Sequence, residues 1–181
     1  MSDIVLISGS PSVDSRSEKV LDFIGSTLQH NGYSVQKISI TDIPAEDLLY
    51  GHYNSPVIQK VTKQIEEAKA VVISSPVYKA SYTGALKALI DILPQDILRH
   101  KAALPIMTGG SPAHLLAIEY TLKPIISVLK GQSLNGVYII DHQLDKNKTN
   151  PIVDQDIQNR IDKQIEYLID AIENKSISIL Q

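Results

Sequence analysis

The chain of 181 residues contains no cysteine. That excludes disulfides, thiol nucleophiles and thiolate-bound metals or iron–sulfur clusters. It agrees with a reducing cytoplasm, which is the expected location. Tryptophan is absent and phenylalanine occurs once, yet there are 8 tyrosines. The histidines at 30, 52, 100, 114 and 142 show no HxH or HxxxH spacing, so no metal site is expected. No apolar run approaches the roughly 20 residues of a membrane span. The first strand begins almost at once, which leaves no room for a signal peptide. The net charge of -3, with Lys and Arg scattered, argues against nucleic acid or an anionic membrane as partner.

What is present suffices for one core. At 43% hydrophobic, and with no linker, repeat or low-complexity tract, residues 1–181 are expected to form a single domain. Ile4 to Ile7 is a continuous branched apolar run, the mark of a strand buried on both faces. Gly9, Ser10 and Pro11 follow, then Ser15, Arg16 and Ser17 at the head of an amphipathic run. Gly9 suits a tight turn, and Ser15 and Ser17 are candidate helix caps. A helix N-terminus exposes unpaired N–H groups and partial positive charge. With hydroxyls from Ser10, Ser12, Ser15 and Ser17 and the Arg16 guanidinium, this loop suits a terminal phosphate. It has neither GxxxxGK[ST] nor GxGxxG. The alternative is an ordinary serine-rich connection.

Downstream, strands and helices alternate. Helices are expected over 17–29, from Pro56, over 85–93, over 113–130 and over about 152–174. Strands are expected over 33–40, 70–73, 102–107 and 136–140, with a long loop over 41–55. Five strand–helix repeats imply a doubly wound α/β fold, a flavodoxin-like three-layer sandwich. Its five-stranded parallel sheet has the order 2-1-3-4-5, with the ligand crevice at the strands' carboxyl ends.

In such a fold the loops after strands one, three and four share one rim. The second holds Tyr78 and Tyr82, and the third holds Gly109 and Gly110. A phosphate grip at one end and a planar, hydrogen-bonding place at the other describe flavin mononucleotide, FMN. Other readings remain open. The tyrosines could face another subunit, and Gly109-Gly110 could be a plain turn. Lys87 and Asp91 read as a solvated or interface pair.

Several stretches carry a resemblance. They are Gly9-Ser10-Pro11 with Ser15-Arg16-Ser17, the run Ala45 to Tyr50, the run Pro76 to Lys87, and Thr108-Gly109-Gly110 with Ala113 to Ala117. Together they resemble the NADPH-dependent FMN reductases, most closely the reductase of two-component alkanesulfonate monooxygenase systems. The resemblance implies an NAD(P)H-dependent FMN reductase, with FMN and NADPH as cofactors, acting as a homodimer or homotetramer. Reduced flavin would pass to a partner monooxygenase that releases sulfite from sulfonates. By motif match, Ser10, Ser15, Arg16 and Ser17 would hold the phosphate. Pro76, Val77, Tyr78, Lys79, Thr108, Gly109 and Gly110 would border the flavin ring. Tyr120 matches a tyrosine associated with a π-bulge at the subunit interface and with flavin exchange. The plainer reading is an interface aromatic in a helix disturbed by Pro124. Many relatives carry Arg where this chain has Ser12, which bears on phosphate binding and NADPH preference. Hydride transfer needs no protein acid or base, so no catalytic residue is assigned. A quinone or azo reductase, and a flavodoxin-like carrier, are the alternatives.

Overall fold

The computed structural model of the protein describes residues 2–178. Strand β1 (Ile4–Ser8) lies between β2 (Val35–Ser39) and β3 (Ala70–Pro76), and all three are parallel. Strand β4 (Ala102–Gly109) pairs with β3 over its length. The sheet order is the flavodoxin-like 2-1-3-4-5. Successive side chains of a strand point to opposite faces, so an unbroken apolar run needs cover on both. Val5 and Ile7 of β1 join the core under helices α3 (Pro56–Glu67) and α4 (Gly84–Ile92). Ile4 and Leu6 join the opposite core, with α1 (Arg16–His30) and α6 (Gln155–Ser178).

Three expectations change. The stretch 41–55 is not a plain loop. It holds a 3-10 turn (Ile40–Asp42) and α2 (Ala45–Tyr50), which stops at Gly51 in the left-handed conformation. Tyr50 therefore ends a helix.

The last sheet position is split into β5 (Gln132–Ser133) and β6 (Val137–Ile140), both paired with β4. The register slips by one residue between them, the signature of a bulge. The opposing residue is Pro105, which has no N–H for the ladder. Gly136, at φ +75, packs on the Pro105 carbonyl, where a side chain would collide. That contact could not be read from the sequence.

The helix expected over 113–130 is broken into a 3-10 turn (Pro112–His114), a π-helix (Ile118–Leu122) and α5 (Lys123–Val128). The Lys123 N–H reaches back five residues to the Ile118 carbonyl. Pro124 cannot donate to Tyr120, and its ring crowds that carbonyl, so a regular α-helix cannot pass through.

The start of β1 is clasped by charge. Asp3 accepts from the Ser34 N–H (3.0 Å) and hydroxyl (2.6 Å), and pairs with Lys69 at 2.8 Å. The bonds from Lys69 and Ser34 hold its carboxyl well below the usual 3.8. A depressed pKa gives stability above the unfolded value that is lost as pH falls. Asp3→Asn is therefore expected to cost about 1–2 kcal/mol at pH 7. The gap to wild type should narrow at pH 3. Urea unfolding at both pH values checks this, and an equal gap would contradict it.

Candidate active site

The loop between β1 and α1 closes on itself. Ser10 Oγ accepts from the Ser12 N–H at 3.1 Å and donates to the Ser12 carbonyl at 3.0 Å. Ser15 is the N-cap of α1: its Oγ accepts from the Glu18 N–H at 3.1 Å and lies 3.0 Å from Ser17 Oγ. Ser17 is thus inside the first turn, not a cap. Ser10 and Ser17 are buried, Ser15 is half-buried and Arg16 is exposed, 3.6 Å from Asp141. Gly9 has no left-handed φ, and its role is room: a Cβ there would sit 2.8 Å from Leu86 Cδ2 and 2.9 Å from Leu86 Cβ. The expected tight turn is replaced by a close approach of loop to helix.

Beneath the loop lies a charge network with no signal in the spacing. Glu18 is buried, accepts from the Ser8 hydroxyl, and pairs with Lys37 at 2.8 Å. Lys37 also pairs with Asp22 at 2.7 Å. Burial works to lower the Lys37 pKa, but the bonds to Asp22 and Glu18 outweigh it and the pKa rises. The ammonium offsets a carboxylate that would otherwise repel an anion at the head of α1.

The loop after β3 is stitched to the first. Ser74 Oγ donates to the Ser17 carbonyl at 3.0 Å. Thr83, fully buried and the N-cap of α4, donates to the Gly9 carbonyl at 2.6 Å and accepts from the Leu86 N–H at 3.1 Å. Its own N–H donates to Ser75 Oγ at 3.1 Å. Pro76 and Val77 are half-buried, and the Val77 N–H donates to the Thr108 carbonyl at 2.7 Å. Tyr78 and Ser81 exchange backbone bonds around Lys79 and Ala80, at φ 52 and 64. Positive φ at both central residues defines a type I′ turn, which usually takes Asn-Gly. Lys and Ala there hold about 1 kcal/mol of strain or more each. Tyr78 and Lys79 are exposed on this strained tip. Lys87 and Asp91 pair at 2.5 Å behind it, with both side chains solvent-accessible.

In the third loop, Thr108 and Gly109 end β4 buried, and Gly110 is exposed. Gly109 makes room for the Tyr138 hydroxyl, which donates to the Ser111 carbonyl at 2.6 Å. Burial, then Asp141, raises the Tyr138 pKa against the Ser111 bond. So the missing side chain at Gly109 is used by the protein's own tyrosine. His114 sits in the 3-10 turn. Tyr120 lies outside these loops, in the π-helix, 76% exposed.

The parallel strands thus bring Ser10, Ser15, Arg16, Ser17, Pro76, Val77, Tyr78, Lys79, Thr108, Gly109 and Gly110 to one rim. Hydroxyls, helix N–H groups and one guanidinium are a donor set fitted to a phosphate monoester. Among the described residues no group of three or more His, Asp or Glu could hold a metal. Nor is any described helix long and apolar enough to cross a membrane.

The family model described as NADPH-dependent FMN reductase matches residues 2–145. The chain belongs to that family. It is 46% identical over 142 residues to an FMN reductase (NADPH) of Pseudomonas putida, covering 78% of this chain and 72% of the relative. To an FMN reductase (NADPH) of Escherichia coli K12 it is 36% identical over 177 residues, covering 97% and 93%. Among solved structures, the apo form of an NADH:FMN oxidoreductase superposes with a TM-score of 0.78 at 30% identity, covering 97% of this chain and 90% of that one. As a member of the NADPH-dependent FMN reductases, the chain is an oxidoreductase with FMN and NADPH as its cofactors. Thr83, Ser75, Glu18 and Lys37 support the reductase's rim without having stood out as site residues in the sequence.

Proposed function

We propose that this enzyme reduces FMN with NADPH and hands the reduced flavin to a flavin-dependent monooxygenase, of the kind that desulfonates sulfonates during sulfur assimilation. The chemistry of hydride acceptance belongs to the flavin. The chain's part is to bind and orient. Ser10, Ser15, Ser17 and Arg16 receive the phosphate at the head of α1. Pro76, Val77, Tyr78 and Lys79 border the ring on one side, and Thr108, Gly109 and Gly110 on the other. NADPH would supply the hydride, and these residues would leave its nicotinamide room beside the ring.

One observation carries the reading of flavin hand-over: the π-helix with Tyr120 held outward. A π-turn weakens regular helix bonding and is found mostly at functional positions. Leu115, Leu116, Tyr120 and Val128 are exposed apolar side chains on or beside it. That patch supports assembly into a homodimer or homotetramer, with Tyr120 at the contact. There it would keep bound FMN exchangeable.

The test is a visible spectrum of the purified protein, followed by NADPH oxidation with added FMN. The expected result is little bound flavin and turnover that saturates with FMN as a substrate. Tyr120→Ala is expected to retain FMN through purification and to turn over free FMN at least fivefold more slowly. Wild-type protein that holds FMN tightly and reduces only quinones would overturn the hand-over. Absence of any NADPH oxidation with FMN would overturn the activity itself.

A further inference from the structure

Outside the rim, a cavity of about 730 Å³ lies along α1. One wall is the helix face from Lys19 through Phe23 to His30, and the other is the segment 146–150 that leads from β6 toward α6. The eleven helical rises between Lys19 and His30 make the groove about 16 Å long. It starts one residue beyond the buried turn of the phosphate loop. A carboxylate of the loop links the two sites. Asp14, in that loop, pairs with Lys19 at 3.4 Å and with Lys146 at 2.7 Å, so segment 146–150 is tied to the loop.

The groove's charge runs against that of the chain. Lys19, Lys146 and Lys148 line it, against Asp22, which Lys37 already engages at 2.7 Å. Asp14 offsets one of the three ammonium groups, and among the described residues no carboxylate pairs with Lys148. The net charge of the whole chain is -3, so this is a local positive site on an acidic protein. Phe23, the single phenylalanine of the sequence, also lines it. An aromatic ring beside cations is the chemistry that receives a purine and a phosphate.

We propose that this groove binds the 2′-phosphoadenosine end of NADPH, with Lys146 and Lys148 on the 2′-phosphate and Phe23 against the adenine. This deepens the proposed reductase function and rests on it. FMN carries one phosphate, and the head of α1 accounts for it. NADPH carries an additional monoester dianion far from its reacting carbon, and a lysine-lined groove beginning beside the flavin phosphate suits that end. The lysines here act in cofactor choice and take no part in hydride transfer.

The experiment is steady-state reduction of saturating FMN by the full chain, with NADPH and with NADH. Wild type is expected to favour NADPH, and 2′,5′-ADP is expected to compete with it better than 5′-AMP or inorganic phosphate. Lys146→Met/Lys148→Met should raise the ratio of the KM for NADPH to that for NADH about tenfold. Lys148→Met alone leaves the Asp14 pairs in place and should raise the ratio about threefold. A parallel measurement of the KM for FMN reports any disturbance of the phosphate loop through Asp14. An unchanged ratio in both variants would overturn the proposal, and so would equal inhibition by 2′,5′-ADP, 5′-AMP and inorganic phosphate. Turnover of FMN with either nucleotide in those cases leaves the reductase reading standing. No turnover in wild type with either nucleotide overturns both.

Discussion

Thr83→Val is expected to lower stability by about 2–4 kcal/mol and to raise the KM for FMN at least fivefold. The valine has the shape of the threonine but no hydroxyl. The Gly9 carbonyl loses its 2.6 Å donor and the Leu86 N–H loses its 3.1 Å acceptor. Both groups lie inside the protein, and each buried polar group left unpaired costs about 1–3 kcal/mol. The Leu86 bond is also the cap of α4, a role worth about 1 kcal/mol that overlaps with the first loss. For a chain of this size the melting temperature should fall by about 10 °C. The functional effect has the same origin. Thr83 ties the backbone of the phosphate loop to the first turn of α4, the next site helix, which it caps. Thr83→Ser keeps both bonds and should restore most of the stability and the FMN affinity. If the valine and serine variants match each other in thermal unfolding and in KM, the bridge does not matter.

Gly9→Ala tests the same junction from the other side. Its φ is ordinary, so alanine brings no backbone strain. The difficulty is Leu86, fully buried on α4. The new Cβ would stand 2.8 Å from its Cδ2 and 2.9 Å from its Cβ. A rotamer change can move Cδ2, but Cβ moves only with the helix. Overpacking of this kind costs about 1–3 kcal/mol. Here it would also push α4 from the loop, and FMN binding is expected to weaken about tenfold. Leu86→Ala alone should cost about 2–5 kcal/mol by emptying the core. The double variant should lose less than the two single losses together, since one change relieves the other. Strict additivity in urea unfolding would show that the two residues do not press on each other.

The central sheet was legible because the physics behind it is local. Ile4–Ile7 and Ala70–Ile73 read as buried strands from their unbroken apolar runs, and both are. Pro56 read as the first turn of a helix, and it opens α3, which Ser55 caps. The rim was legible at the level of loops, because sheet order fixes which loops meet. What lay hidden depends on partners far apart in sequence. Gly9 faces Leu86, Gly109 faces Tyr138, and Glu18 faces Lys37. No periodicity encodes such pairs. The broken helix around Tyr120 followed from a proline whose presence was visible, but the π register came from how the chain absorbs the missing N–H. The split of the last strand likewise needed Pro105 and Gly136 to be seen side by side.

The central place of β1 has a consequence for biosynthesis. Its ladder to β2 can close within the first 39 residues, but its other edge pairs with Ala70–Ser74. At about 5–20 residues per second, a ribosome needs several seconds to supply that partner. Until then a largely apolar strand stands with one flank bare, a template for unwanted pairing between nascent chains. Helix α1, emerging between the two, is the natural temporary cover for one face of it.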